Sequence, residues 1–473
     1  MRALSDKPRE ECAVFGVSLK KSEEASGITY NALLSMQHRG QEATEIAVLS
    51  GSNIYCQKAM GLVTEVFSDE TLKRFPRSPA AVGHTRYSTT GGNTWENVQP
   101  FVTEYLTGRI ATVHNGNLTN AKENREALKA QGLNFTASSD GEVISSLIAY
   151  YTVKTGNILE GVKQAASMLS GAFCIVLLTS DNKLIAVRDP NGFRPLCIGR
   201  SPMGIAVASE SCALDSCSFE FYRDVNPGEV IIIQDGEIVF EEIIRHSKDE
   251  NAGLCIFEYV YFARPDSSID NLSVYQARYN MGRILSEEYP VDADAVCGVP
   301  DSGLEAAIGY SAASGIPLVS GFVKNRYIGR SFIYPMQSQR ESAVRLKLNP
   351  LSANVKGKKI VLVDDSIVRG TTSASIVRSL KSAGAKEVHM RISSPPFLFA
   401  CHYGTDIDDE CNLIANKMNL NKIANHIGAD SLGYISIKGL KTACKDCSLS
   451  FCTKCFTGGD NTAYNRKHDL ETL

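Results

Sequence analysis

The sequence predicts two unlike units in one chain: a strand-rich α+β N-terminal half and an α/β C-terminal half with parallel strands. Three observations carry this. At 473 residues the chain has room for two or three domains, each with its own core. In Lys358–Ser373, KKIVLVDDSIVRGTTS, the β-branched run Ile360–Val363 reads as a short buried strand and Ser366–Thr372 as a turn. Ser373–Ser382 then reads as a helix closed by Ala383-Gly384-Ala385, and a second strand, Glu387–Ile392, completes a β-α-β unit. Upstream, short apolar runs such as Ala172–Leu178, Lys183–Arg188 and Glu229–Gln234 alternate with the turns Asp189-Pro190-Asn191-Gly192 and Asn226-Pro227-Gly228.

Composition narrows the class. Hydrophobic residues make up 43% and charged residues 21%, ordinary for a globular protein. A net charge of −3 and a pI near 6.3 leave no basic surface for nucleic acid or an anionic membrane. The longest uncharged run, Ala165–Ser180, is about 16 residues and too short for a membrane span. The opening MRALSDKPREEC has no apolar secretory stretch, so a cytoplasmic protein is expected. Its 14 cysteines should then be reduced rather than paired. Four of them crowd into Cys444–Cys455, which suggests a metal.

The Lys358–Ser373 run also carries chemistry. A tight loop entering a helix aims unpaired N–H groups at one spot, where the helix dipole favours an anion. Gly370 allows close backbone approach, Thr371, Thr372 and Ser373 add hydroxyls, and Ser366 opens the turn, so a phosphate fits. Asp364 and Asp365 would repel that phosphate and should face sugar hydroxyls or a substrate-borne divalent cation. No Gly-Lys-Ser/Thr is present, which excludes a Walker-type ATP clamp. The run LVDDSIVRGTTS resembles the phosphoribosylpyrophosphate (PRPP) loop of the type I phosphoribosyltransferases. That resemblance implies Asp364 and Asp365 at the ribose 2- and 3-hydroxyls and the following loop at the 5-phosphate.

In the N-terminal half, Cys12 opens the strand-like run Cys12–Val17. A cysteine there is usually packing. If residues 1–11 are a propeptide, however, its removal gives Cys12 a free α-amine, with a pKa near 8, beside its own thiol. Four further motifs follow: MQHRGQE (36–42), GHTRYSTTGG (83–92), VHNGNLTN (113–120) and SSDGEV (138–143). VHNGNLTN reads as a strand entering an Asn-Gly turn, and SSDGEV as a turn that caps a helix through Ser139 or Asp140. Arg86 can pair with an α-carboxylate and Asp140 with an α-ammonium, while Asn115 and the Gly116 N–H can donate to an oxyanion. This set resembles the class II glutamine amidotransferases, N-terminal-nucleophile (Ntn) hydrolases built as two stacked sheets between helices (αββα). The resemblance covers about 12–245 and implies that Cys12 attacks the glutamine amide through a thioester. His84 and His114 are read as packing or supporting residues rather than bases.

Beyond the charged linker candidate Arg245–Asn251, the aromatic run Cys255–Ser267, CIFEYVYFARPDS, would alone be a core strand. Next come a helix, Val274–Tyr289, and a strand, Ala295–Val299, entering the small-residue loop Pro300–Gly303. This second loop suits a pyrophosphate, with Ser302 touching its Mg²⁺. The basic stretch Val323–Arg345, including Lys324, Arg326, Arg330, Arg340 and Arg345, reads as a lid over a polyanionic substrate. Together with ECAVFGV, YFARPDS, GVPDSG, KNRYIGRSF and KLNPL, the chain from Glu11 to about Gly459 is similar to the family of glutamine-dependent PRPP amidotransferases. The resemblance implies that glutamine, PRPP and water give 5-phosphoribosylamine, glutamate and pyrophosphate, the opening step of purine synthesis, by internal ammonia transfer. It also implies purine nucleotide inhibitors and a homo-oligomer, tetrameric or dimeric. Its domains would be a propeptide 1–11, a glutaminase 12–245, a transferase 255–440 and a cysteine-rich tail 441–473. The tail is similar to the iron–sulfur branch of that family, with Cys255, Cys401, Cys452 and Cys455 as ligands of a 4Fe–4S cluster. Cys444 and Cys447 depart from that pattern; with Cys452 and Cys455 they could instead form a Zn²⁺ site. Cys297 and Cys411 are read as ordinary thiols. A PRPP- or purine-sensing regulator on the same fold would carry no amidase motifs.

Overall fold

The structure, a computed structural model, describes residues 12–87, 92, 94–246, 253–325, 348–407 and 409–458. The expected propeptide 1–11, most of the linker candidate, the basic stretch beyond Asn325 and the end of the tail lie outside these residues.

Two antiparallel sheets build the N-terminal half. The first has the spatial order β11 (Glu220–Asp224), β9 (Cys197–Ser201), β10 (Gly204–Ala208), β1 (Ala13–Glu23), β4 (Ser78–Arg86), β2 (Ala43–Ser50), β3 (Asn53–Met60). The second runs β13 (Glu237–Ile243), β12 (Glu229–Gln234), β8 (Lys183–Arg188), β7 (Gly171–Thr179), β6 (Gly108–Leu118), β5 (Phe101–Tyr105). Side chains alternate along a strand, so a sheet covered on both faces needs apolar residues at nearly every position. Strand β7, GAFCIVLLT, is buried from Ala172 to Thr179 for that reason. Val14, Ala47, Val82, Val113, Val176 and Ile231 fill the space between the sheets. On the outer face of the first sheet, Phe15, Val17 and Ile46 pack against α1 (Ala25–Ser35). On the outer face of the second, Ile175, Leu177 and Val187 meet α2 (Asp140–Thr155) and α3 (Ile158–Met168). The result is the expected αββα stack.

The C-terminal half holds a four-stranded parallel sheet in the spatial order β14 (Ala295–Gly298), β15 (Lys359–Asp364), β16 (Glu387–Ile392), β17 (Ser431–Tyr434). Val296, Val361 and Val363 face α4 (Val274–Glu288) and α5 (Leu304–Ser314); Cys297 and Leu362 face α6 (Thr371–Ser382) and α7 (Leu420–Ile427). Gly298 pairs with Val363, so the loops after β14 and β15 leave the same edge of the sheet, at its carboxyl end.

The aromatic run is not a core strand. Only Leu254 and Cys255 pair, in parallel with Phe451 and Cys452, and Glu258–Phe262 then coils into one π-helical turn. A strand would aim alternate side chains outward, whereas this turn buries Glu258, Tyr259, Val260 and Phe262 together. The halves are bolted by a buried ion pair. Arg188 on β8 donates from Nη1 to Asp270 Oδ1 at 3.0 Å and from Nη2 to Oδ2 at 2.8 Å. Asp270→Ala strands that guanidinium, and the expected cost is about 3–5 kcal/mol, read as the shift of the first transition in urea. A shift below about 1 kcal/mol would show the pair to be dispensable.

Candidate active sites

Cys12 stands just before β1, half-buried, with its Sγ 3.4 Å from the Tyr87 carbonyl oxygen and 3.5 Å from the Tyr87 nitrogen. Ala13 pairs with Thr85, which sets Cys12 beside the end of β4, where Arg86 lies. Arg86 is buried; its Nη2 donates to the Gly92 carbonyl at 3.3 Å, and its Nη1 has no hydrogen-bond partner among the described residues. Asn115 is fully buried on β6, and neither side-chain atom of its amide is hydrogen-bonded among the described residues. An orphaned buried amide costs stability, so it is held for something other than the fold.

The Asn115-Gly116 pair is not a turn. Strand β6 runs straight through it, with Asn115 opposite Cys174 and Gly116 opposite Phe173, because pairing with β7 outweighs local turn preference. Gly116 sits at φ +138°, and a Cβ there would stand 2.1 Å from the Ala172 carbonyl oxygen. As expected, Ser139 caps α2, accepting from the Gly141 N–H at 3.2 Å. Asp140 is buried next to it, and its Oδ2 accepts from the Leu118 N–H at 3.0 Å. Its Oδ1 lies 3.8 Å from His114 Nδ1. Burial pushes His84 and His114 below the usual imidazole range.

A buried ionic node was not legible as a site. Arg39 Nε donates to the Cys12 carbonyl at 3.2 Å. Its Nη1 reaches Glu210 Oε1 at 2.6 Å, and its fork grips Glu258 at 2.9 and 2.8 Å. Burial opposes charge on Glu210, but His38 and Arg39 hold its carboxyl well below the usual range. Arg194 Nη1 lies 3.5 Å from Glu258 Oε1, the oxygen that also accepts from Arg39 Nη2. The available signal was Glu258 itself, a lone acid in an apolar run, which must find a buried partner.

In the transferase half, Asp364 ends β15 and Asp365 opens the loop after it, both fully buried. Asp364 Oδ1 accepts from the Asp365 N–H at 2.9 Å. The Ser302 and Ser366 hydroxyls both donate to Asp365, so the two expected loops do meet. Lys324 pairs with Asp301 of the same loop. Gly370 is the N-cap of α6 at φ +86°, and a Cβ there would press to 2.8 Å on Ile414. Thr371 and Thr372 begin α6, and Ser373 is buried one residue further.

Cys255, Cys401, Cys452 and Cys455 all line one cavity of ≈ 220 Å³, walled also by Phe193, Arg194 and Tyr403. Cys255 and Cys452 are opposite each other in the two-residue ladder. Burial raises the Cys455 thiol well up, with Cys255, Cys401 and Cys452 adding to it, and raises Cys452 to about 11. Cys444 and Cys447 do not line that cavity; Cys447 stands by Tyr259. No group of three or more His, Cys, Asp or Glu among the described residues converges closely enough for one metal ion. Cys297 is buried and Cys411 exposed. Among the described residues no helix is long and apolar enough to cross a membrane.

These two constellations define a glutamine amidotransferase joined to a phosphoribosyltransferase. Comparison with known proteins agrees: a glutamine amidotransferase domain model matches residues 84–216, and a phosphoribosyl transferase domain model matches 271–393. An amidophosphoribosyltransferase of Archaeoglobus fulgidus is 48% identical over 94% of this chain and 97% of its own. That of Bacillus subtilis is 45% identical over 95% and 94%. A solved glutamine PRPP amidotransferase from B. subtilis, complexed with ADP and GMP, superposes with a TM-score of 0.86 at 43% identity, covering 94% of this chain and 96% of that one. The chain belongs to the amidophosphoribosyltransferase family. It is an enzyme that couples glutamine amide transfer to pentosyl transfer.

Asn115→Ala separates function from fold. If its amide is the expected oxyanion donor, removing it lowers glutamine-dependent turnover about 10²–10³-fold. Thermal stability should hold or rise, because an unsatisfied buried amide leaves the core. Loss of stability with turnover intact would make Asn115 a packing residue.

Proposed function

We propose the following division of labour for the reaction of glutamine, PRPP and water to 5-phosphoribosylamine, glutamate and pyrophosphate. In the glutaminase half, about 12–245, the Cys12 thiolate attacks the side-chain carbonyl of glutamine. The amide nitrogen leaves as ammonia and water hydrolyses the thioester to glutamate. Removal of residues 1–11 would supply the α-amine that takes the thiol proton. Arg86 holds the α-carboxylate and Asp140 the α-ammonium, while Asn115 and the Gly116 N–H stabilise the oxyanion. The observation that carries this is the orphaned, fully buried amide of Asn115 beside a glycine that no other residue could replace.

In the transferase half, about 255–440, the Asp364 and Asp365 carboxylates hold the ribose hydroxyls, the sugar taking over contacts that Ser302 and Ser366 now make to Asp365. The 5-phosphate sits on Ser366, Gly370, Thr371, Thr372 and Ser373 at the start of α6. Lys324, now paired with Asp301, turns to the pyrophosphate. Ser302, Asp364 and Asp365 are hard oxygen donors, the set that suits Mg²⁺; bound there with pyrophosphate, the ion would neutralise the leaving group's charge. Ammonia then attacks the anomeric carbon and pyrophosphate departs.

The cavity at the start of the tail, 441–473, is read as a structural 4Fe–4S site held by Cys255, Cys401, Cys452 and Cys455. Four thiols around a cavity, rather than converging on one point, suit a cluster better than Zn²⁺. The second Cys-x-x-Cys pair stands apart from it. A relative solved in complex with ADP and GMP supports purine nucleotides as ligands of this chain, here read as inhibitors. A homo-oligomer in the cytoplasm completes the reading.

Two variants test the division. Cys12→Ala should lose glutamine-dependent synthesis and keep synthesis from added ammonium chloride, whereas Asp365→Asn should lose both. Cys12→Ala that still uses glutamine would overturn the assignment. For the tail, Cys255→Ser should lose bound iron and acid-labile sulfide in anaerobically purified protein, and Cys447→Ser should keep both. Zinc with no iron in the wild-type protein would contradict the cluster.

A further inference from the structure

The space between the two glutaminase sheets holds a charged group that the reaction as described does not use. Strand register lays Val14, His84, Glu45 and Lys58 side by side in one row across β1, β4, β2 and β3. Arg86 is two residues further along β4 from His84, so it projects from the same face one row nearer the Cys12 edge. Glu45 and His84 have no solvent exposure, and His84 Nδ1 is 2.8 Å from Glu45 Oε2. His84 lies against the facing sheet at His114, next to Asn115. Glu45 Oε1, His84 Nε2, Arg86 Nη1 and both polar atoms of Asn115 are buried without a hydrogen-bond partner among the described residues.

So many orphans in one layer are expensive for a sheet core, where an apolar residue would serve better. Glu45 is the lone charge in Ala43–Leu49, ATEIAVL, and it is not there to fill a gap. We propose that Glu45 is a positioning residue of the glutamine half-reaction: hydrogen-bonded to His84, it braces Arg86 and so sets the affinity for the amino acid's α-carboxylate. The proposal rests on reading Arg86 as that clamp.

Charge matters as much as shape. An ionised Glu45 beside Arg86 would compete with the substrate carboxylate for the guanidinium. Burial raises the Glu45 carboxyl well above its usual range, against the pull of Arg86 and Lys58, which favours its neutral form. The titratable groups around it are His84 and Arg86 on β4 and Cys56 and Lys58 on β3; His114 on β6 neighbours His84 but turns its ring to Asp140. Lys58 is spent elsewhere, donating to the Val98 carbonyl at 2.6 Å. The neutral pair thus supports Arg86 without neutralising it.

The test is steady-state kinetics in glutamine, with ammonium chloride as alternative donor, for wild type, Glu45→Gln, Glu45→Ala and Arg86→Gln. Glu45→Ala should raise KM for glutamine about tenfold or more with kcat within about threefold, and leave ammonia-dependent synthesis alone. Glu45→Gln, neutral and still able to hydrogen-bond His84, should keep KM within about threefold at pH 7. As pH rises, the wild-type KM should climb further than that of Glu45→Gln, because only the acid can ionise. Unchanged KM in Glu45→Ala, or equal losses of kcat and KM in both Glu45 variants, would overturn the inference. If Glu45→Ala does not fold, the pH profiles decide: identical alkaline limbs for wild type and Glu45→Gln overturn it. Arg86→Gln separates the two levels. If it leaves KM unchanged, the clamp reading fails; if it raises KM while Glu45→Ala does not, only the role of Glu45 fails.

Discussion

A guanidinium with no solvent exposure, Arg39, is the constraint on which the rest of the molecule depends. It donates to the Cys12 carbonyl while gripping Glu258, which comes from the segment that opens the transferase half. Two guanidiniums, Arg39 and Arg194, meet two carboxylates, Glu210 and Glu258, all out of water. None of these charges could be buried alone, so each is stable only when the others are in place. That requirement fixes the backbone at Cys12 relative to the transferase half. It also explains the π-helical turn at Glu258–Phe262, which delivers Glu258 inward along with its apolar neighbours.

The same node reaches the cysteine cavity. Arg194 Nη2 donates to the Tyr403 carbonyl at 2.8 Å, and the Phe193 and Tyr403 rings stack at 4.2 Å. The Asn117 side chain, one residue past Gly116, donates to the His402 carbonyl at 3.0 Å. Cys12, the four thiols and the segment that opens the transferase half therefore share one connected neighbourhood. A tethered ammonia donor needs such a neighbourhood, because its advantage over dissolved ammonia is position.

Much of this was legible in the sequence where the signal is local. Ile360–Val363 bounded by charge, the Gly370 turn and the Ser139 cap each follow from a few adjacent residues, and all three appear where expected. Legibility failed where a distant partner decides the outcome. Asn115-Gly116 has the composition of a turn, but nine consecutive pairs with β7 hold it in a strand. The run CIFEYVYF has strand composition, but Glu258 answers to Arg39, more than 200 residues away. Glu45 carried a signal that went unused: a single acid amid apolar residues, whose partner on β4 only the sheet register reveals.

The central claim is that one molecule couples two half-reactions. Its most direct test is glutamate and pyrophosphate release by anaerobically purified protein given glutamine and Mg²⁺, with and without PRPP. Matched release of both products, strongly dependent on PRPP, is the predicted result. Glutamate release that ignores PRPP, with no pyrophosphate formed, would contradict it.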